Sequence, residues 1–336
     1  MKVSLHEAID LVEIAISAKL VCFIHGSPAI GKSSIVHQIA NKHKLKVIDL
    51  RLSQCDPVDL SGFPFIVDGK ASYVPMDTFP LDTQPVPEGF NGWMLFLDEM
   101  NAAPRSVQAS SYKLVLDRMV GQHRLHDRVA IVCAGNLDTE GAITEEMSTA
   151  LQSRLCHIEV YADLQEFIQY AMENNFDYRI TSYLEFKPTS LYSFKPDHSD
   201  KTYSSPRTWE FCNKIMKKTN DYKKLLPLLS GVLSEGIARE FIAFIKHEDK
   251  LAKVSDIVAN PTGIKIPEEP SVLYALTGAL SHHINEETCK ELSLFIDRLP
   301  TEFQIITFRG IALKHKTKWA EKLRQDWVNK NFDKIM

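Results

Sequence analysis

Eight residues constrain this chain more than any others: Gly26-Ser27-Pro28-Ala29-Ile30-Gly31-Lys32-Ser33. A short apolar run at 20–24 precedes them and a helix-patterned stretch at 33–43 follows. The spacing, Gly-x4-Gly-Lys-Ser, is that of a phosphate-binding loop between a strand and a helix. Its glycines let the backbone wrap closely around oxygen atoms. The amides and the positive end of the following helix then attract the anion. Lys32 is placed to reach the β- and γ-phosphates of a nucleotide, and Ser33 to set its hydroxyl on Mg²⁺. Ser34 completes the candidate cradle.

Two further strand-like runs end in chemistry. Trp93-Met94-Leu95-Phe96-Leu97 leads directly into Asp98-Glu99. Acids at the end of a buried strand are costly unless they meet a cation or solvent. Asp98 is the candidate to hold Mg²⁺ through its water shell, and Glu99 to orient and polarise an attacking water. The run 129–134 leads into Gly135-Asn136, where an amide can hydrogen-bond that water and the terminal phosphate. Taken alone, an Asn at that place is an ordinary turn residue. Arg154 and Arg207 carry no signal by themselves.

The remaining patterning predicts an α/β fold with a mostly parallel sheet covered on both faces. Helical spacing covers 4–19, with Ser4 and Glu7 in capping-box register, and 106–119. Strands are expected at 46–52 and 155–160. Residues 63–92 break the rhythm with Pro, Gly and the aromatics Phe63, Phe65, Tyr73 and Phe79. Asp68-Gly69 in that stretch is a hairpin signal. Beyond 163 the pattern is helical, at 164–174, 206–218, 222–247 and 269–283, with a polar loop at 187–204 and a linker at 260–270. The expected domains are an α/β nucleotide-binding domain at 1–162, a helical lid at 163–260 and a helical C-terminal extension at 261–336.

Composition excludes several classes. With 44% hydrophobic and 24% charged residues and a net charge of −4, nothing in the overall balance demands nucleic acid or membrane. The six cysteines include no Cys-x-x-Cys pair, which fits a reducing compartment. His282 and His283 are neighbours that point about 100° apart on a helix, a poor metal pair. The amphipathic, acid-bearing N-terminus does not read as a signal peptide, and no run reaches the ~20 apolar residues of a membrane helix. A cytoplasmic location is expected.

In order along the chain, these features resemble an AAA+ ATPase, and more narrowly the MoxR-like branch. The likeness rests on the phosphate loop, the Asp98-Glu99-Met100-Asn101 stretch, and the Asp59-Leu60-Ser61-Gly62 element. It also rests on the Gln108-bearing helix, the Asn136 strand with its loop to Gly141, and Ser205-Pro206-Arg207 opening a helix. It covers roughly residues 1–215. It implies ATP and Mg²⁺ as cofactors and a homo-oligomeric ring, commonly of six subunits. Asn136 becomes a γ-phosphate sensor, Arg154 a finger offered to the neighbour's nucleotide, and Arg207 a second sensor offered from the lid. Two hairpins, around 63–73 and 120–127, would face the ring pore. The implied partner is a protein target, reached in some relatives through a von Willebrand factor A domain protein. Three departures stand out. The loop reads Gly-Ser-Pro-Ala-Ile-Gly rather than Gly-Pro-Pro-Gly-Thr-Gly, Ala102 stands where an Arg is common, and 271–336 matches nothing in the branch.

The alternative is a nucleic-acid motor or loader on the same fold. Its support is the tail, where Arg309, Lys314, Lys316, Lys318, Lys322, Arg324, Lys330 and Lys334 interleave with Trp319 and Trp327. The competing reading of that tail is an amphipathic helix whose tryptophans dock on the lid.

Overall fold

The apolar runs of the first half are continuous rather than alternating, and in the computed structural model they form the middle of one parallel sheet, buried on both faces. The structure describes residues 1–137, 147–196, 200–247 and 251–335. Two compact units divide the chain, one covering Met1–Asp163 and the other beginning at Leu164.

In the first unit β1 (Lys2–Val3) leads to α1 (Leu5–Ser17), β2 (Cys22–Gly26), α2 (Lys32–Lys42) and β3 (Leu45–Arg51). There follow α3 (Pro57–Ser61), the hairpin β4 (Phe63–Val67) and β5 (Lys70–Val74), then β6 (Gly92–Asp98) and α4 (Arg105–Tyr112). A small hairpin, β7 (Met119–Val120) and β8 (His123–Arg124), precedes β9 (Val129–Gly135), α5 (Thr149–Gln152) and β10 (Cys156–Val160). The sheet order is β1-β10-β2-β9-β6-β3, and every pair in it is parallel. Phe23, Leu95, Leu97, Ile131 and Cys133 face one core together with Leu60, Phe79 and Val107. Alternate residues of the same strands, such as Ile24, Met94, Phe96 and Val132, are equally buried on the face that carries α1 and α2.

The expected capping box of α1 is present: Ser4 Oγ accepts from Glu7 N–H, and the Glu7 carboxylate accepts from Ser4 N–H at 2.9 Å. The Asp68-Gly69 turn is a hairpin turn, with φ of 50° and 75° at its two central residues. The 63–92 stretch is not one loop, however. Its first part is the exposed β4–β5 hairpin, whereas Phe79 is buried in the main core at 1% exposure. The helix expected at 106–119 runs as α4 to Tyr112, passes through a π-helical turn at Lys113–Asp117, and stops at Arg118, which has a positive φ of 56°. The Arg118 guanidinium spans the break by donating to the carbonyls of His126 and Val129.

The second unit contains α6 (Leu164–Glu173), α7 (Tyr178–Phe186), α8 (Pro206–Met216), α9 (Tyr222–Leu233) and α10 (Glu235–Ile245). It continues with α11 (Val254–Ala259), α12 (Pro270–His283), α13 (Cys289–Ile296), α14 (Thr301–Lys314) and α15 (Lys318–Ile335). The single helix expected at 222–247 is broken at Ser234, whose φ is 80°. The break lets α10 fold back and pack on α9, so both bury apolar faces that one straight rod would leave in water. Most of the lid expected at 163–260 shares one unit with the extension expected at 261–336, and within that unit α12 packs on both α7 and α14. Trp327 is buried, stacks on Phe308 at 4.8 Å and donates its indole N–H to Gln304. Among the described residues no helix is long and apolar enough to cross a membrane. The fold is a parallel α/β sheet covered by helices, followed along the chain by a helical unit.

Trp209 anchors the second unit: it is fully buried, donates to Ser190 O at 2.9 Å and meets Phe241 edge-on at 5.4 Å. Trp209→Ala should cost about 3–5 kcal/mol in urea unfolding followed by circular dichroism. A loss below about 1 kcal/mol would mean that the ring is not central to this core.

Candidate functional site

The sheet order decides which side chains meet. β9 lies between β2 and β6, so the C-terminal ends of all three strands share one edge of the sheet. That edge carries Gly26 with its loop, Asp98-Glu99 and Asn136. Open αβ sheets bind ligands at this carboxyl edge.

The loop is shaped by backbone constraints. A Cβ on Gly26 would lie 2.6 Å from the Val160 carbonyl, so only glycine lets β2 pass β10 there. Gly31 has φ of 116°, a conformation that other residues rarely adopt. Ala29 is left-handed as well, with φ of 63°. It stands where the related pattern has glycine, and it bears a strain of about 1–2 kcal/mol. Ser34 lies in the first turn of α2, its N–H on the Gly31 carbonyl at 3.0 Å.

Lys32 folds back over the loop and is only 8% exposed. Its ammonium donates to Gly26 O at 2.7 Å, Ser27 O at 2.9 Å and Asn136 Oδ1 at 3.0 Å. A buried ammonium needs such oxygen partners, and this one is ringed by them. Phosphate oxygens entering the loop would replace neutral acceptors with charged ones.

Next to it, Ser33 Oγ donates to Asp98 Oδ2 at 3.2 Å, and Asp98 Oδ1 accepts from Glu99 N–H at 2.9 Å. A hydroxyl and a carboxylate this close form a hard-oxygen pair that fits Mg²⁺, a cation that keeps several waters and takes few protein ligands. Asp49, on the edge strand β3, reports the same crowding of acids. Partial desolvation and then the Asp98 charge hold its carboxyl above the usual range. Glu99 has a left-handed backbone, with φ of 56°, and its carboxylate accepts a hydrogen bond from Ser53 Oγ.

The structure brings Lys32, Ser33, Asp98, Glu99 and Asn136 to one edge of the sheet. Two residues went unassigned in the sequence. Ser53 lies in a one-turn segment after β3, and no spacing rule points to it. Asn101 belongs to the acidic stretch, but its role emerges only here. Its amide N–H donates to Asn136 O at 2.7 Å and its Oδ1 accepts from Asn136 N–H at 3.1 Å, clamping the end of β9. Gly135 permits this, since a Cβ there would lie 2.2 Å from Asn101 Oδ1. The loop expected to run from Asn136 to Gly141 lies beyond 137 outside the described residues.

Arg154 is not part of this cluster. Arg154 is exposed, follows α5 and donates to Ala150 O at 2.8 Å. It precedes the N-terminal end of β10, where Cys156 pairs with Cys22, four residues before Gly26. At about 3.3 Å per residue, the sheet separates it from the phosphate loop by more than an arginine side chain spans. Arg207 is exposed in the first turn of α8, which Ser205 caps, and it belongs to the second unit.

Comparison with protein families and with curated proteins finds no match to the sequence. Among solved structures the chain is similar to NtrX from Brucella abortus, at 14% identity and a TM-score of 0.41, over 92% of this chain and 68% of that one. The NtrX complex with ATP gives the same identity and score over 98% and 67%. The RuvB Holliday junction branch migration motor of Thermotoga maritima is similar at 15% identity and a TM-score of 0.38, over 85% and 83%.

Asn101→Ala should leave the N–H and C=O of Asn136 unpaired and cost about 1–3 kcal/mol. Asn101→Asp keeps the acceptor but turns a carboxylate oxygen toward the Asn136 carbonyl, so it should be destabilised as well. Urea unfolding of both variants is the check, and equal stability of all three proteins would remove the clamp.

Proposed function

We propose that the chain is a ring-forming, cytoplasmic AAA+ ATPase of the MoxR-like branch that couples ATP hydrolysis to the remodelling or activation of a protein partner. The observation that carries the reading is the convergence of Lys32, Ser33, Asp98, Glu99 and Asn136 on one sheet edge. In this reading Lys32 and the loop amides bind the phosphates. Ser33 and Asp98 hold Mg²⁺, which when bound neutralises charge on the phosphate oxygens. Glu99, once freed from Ser53, accepts the proton of the attacking water, and Asn136 orients that water.

Arg154 supports a ring, commonly of six. It is exposed and too distant to serve its own phosphates, so its charge suits a neighbour's. Arg207 takes the role of second sensor toward its own nucleotide.

A protein target is favoured over nucleic acid by the tail. Arg309 pairs with Glu185, Lys316 with Glu173 and Lys330 with Asp297, and Trp327 is buried, so part of the tail's basic and aromatic surface is engaged within the chain while Lys318, Lys322 and Arg324 stay exposed. A strand-binding surface needs free cations and exposed aromatics. By contrast the β4–β5 hairpin exposes Phe63, Phe65, Ile66 and Tyr73 on both faces. A two-stranded ribbon with so much bare apolar surface is marginal alone and suits gripping a partner. A von Willebrand factor A domain protein is one candidate for presenting that partner.

Lys32→Ala should abolish tight ATP binding, measured with a labelled nucleotide; near-normal affinity would place the site elsewhere. Glu99→Gln should bind ATP without turnover. Arg154→Ala should also bind ATP and hydrolyse it roughly 10³–10⁵-fold more slowly. Mixing these last two variants should restore part of the activity, because some interfaces then join an intact Glu99 to a neighbour's intact Arg154. Absence of recovery in mixtures shown by native mass measurement to co-assemble would exclude action in trans.

A further inference from the structure

The second unit contains a cavity of about 80 Å³ between α6, α7, α12 and α14, lined only by residues of that unit. Small residues let the helices approach there: a Cβ on Gly278 would lie 1.8 Å from Ser182 Oγ, and one on Gly310 would lie 2.7 Å from Ser281 Oγ. Met172, Phe176 and Ile306 give the cavity an apolar wall.

Its polar groups are unevenly placed. The hydroxyls of Thr181, Ser182, Thr277 and Ser281 all donate to helix carbonyls, so their protons are spent. At one end Glu185, 8% exposed, is neutralised by its ion pair with Arg309. At the other end lies Lys314. Its ammonium donates to His282 O at 2.6 Å and His282 Nδ1 at 2.7 Å, and among the described residues it pairs with no carboxylate. Two of its three protons are placed, which leaves one for an occupant. Burial and then Lys314 hold His282 down to about 4, so the imidazole is neutral and does not balance the lysine. Accepting at Nδ1 leaves the ring proton on Nε2. His283 and His315 add further basic groups, and Asp177 is the acid that faces His282. A half-buried ammonium with neutral partners, at the end of an apolar-walled cavity, is an incomplete ion pair.

We propose that this cavity binds a small carboxylate, its charge against Lys314 and its short apolar part against Met172, Phe176 and Ile306. The proposal does not rest on the nucleotide reading, since none of the cavity's residues has a role in it.

The test uses the full chain with ¹³C-methyl methionine, which gives nine reporters of which Met172 lines the cavity. Butyrate is the probe, with butanol and inorganic phosphate as comparisons. Butyrate should shift the Met172 methyl signal saturably, and butanol should need at least about tenfold more, since it lacks the charge that Lys314 would meet. Lys314→Leu should abolish the shift and Lys314→Arg should retain it. Ile306→Phe, which fills the cavity and leaves the charge in place, should abolish it as well. Failure of butyrate to saturate, or an unchanged response in Lys314→Leu, would overturn the proposal. So would a Met172 shift from phosphate as large as that from butyrate, which would make the occupant a bare oxyanion. Loss of Lys32 should leave every one of these responses unchanged.

Discussion

An ammonium group in a protein interior must be surrounded by oxygen, and the candidate site is organised around that need at Lys32. Two of its acceptors are carbonyls of its own loop, which therefore has to curl back on itself. Gly26, Ala29 and Gly31 supply that curl, each at a backbone position shaped by close approach or positive φ. Another acceptor comes from a strand 104 residues away, so the loop's geometry depends on β9 lying beside β2. Asn101 then fixes the end of β9, and it belongs to the same turn that carries Glu99. One buried charge thus ties three strand ends into a single unit.

The same sheet gives the site its polarity. Acids gather at the carboxyl edge, next to the lysine and the loop amides, where an anion and its cation would balance them. Arg154 stands at the other end of β10, facing outward. In the second unit Arg309, Lys316 and Lys330 pair with acids of the same unit, whereas Lys314 donates to His282.

Much of the first unit was legible in the sequence because its signals are local. The continuous apolar runs became the buried parallel strands. Ser4 and Glu7 became a working capping box, and Asp68-Gly69 became the tight turn its residues demand. The less legible parts depend on distant partners. Phe79, in a stretch rich in Pro and Gly, is buried because the main core reaches it, which no local pattern announces. The helix at 222–247 breaks at Ser234, where packing of α10 on α9 outweighs continued helical hydrogen bonding. Helix α7 was not anticipated, since its burial of Ile180, Tyr183 and Leu184 comes from neighbours far along the chain.

For the site the division is similar. The sequence by itself determined the phosphate loop, the acids Asp98 and Glu99 and the amide Asn136, because each follows an apolar run whose end places it at the edge of a parallel sheet. Only the tertiary structure decided that Asn136 touches Lys32, that Asn101 clamps Asn136 and that Ser53 holds Glu99. Those contacts join residues dozens of positions apart, and their existence follows from strand order. Strand order is set by the packing of whole strands and helices against each other, a sum over many side chains that no single motif contains.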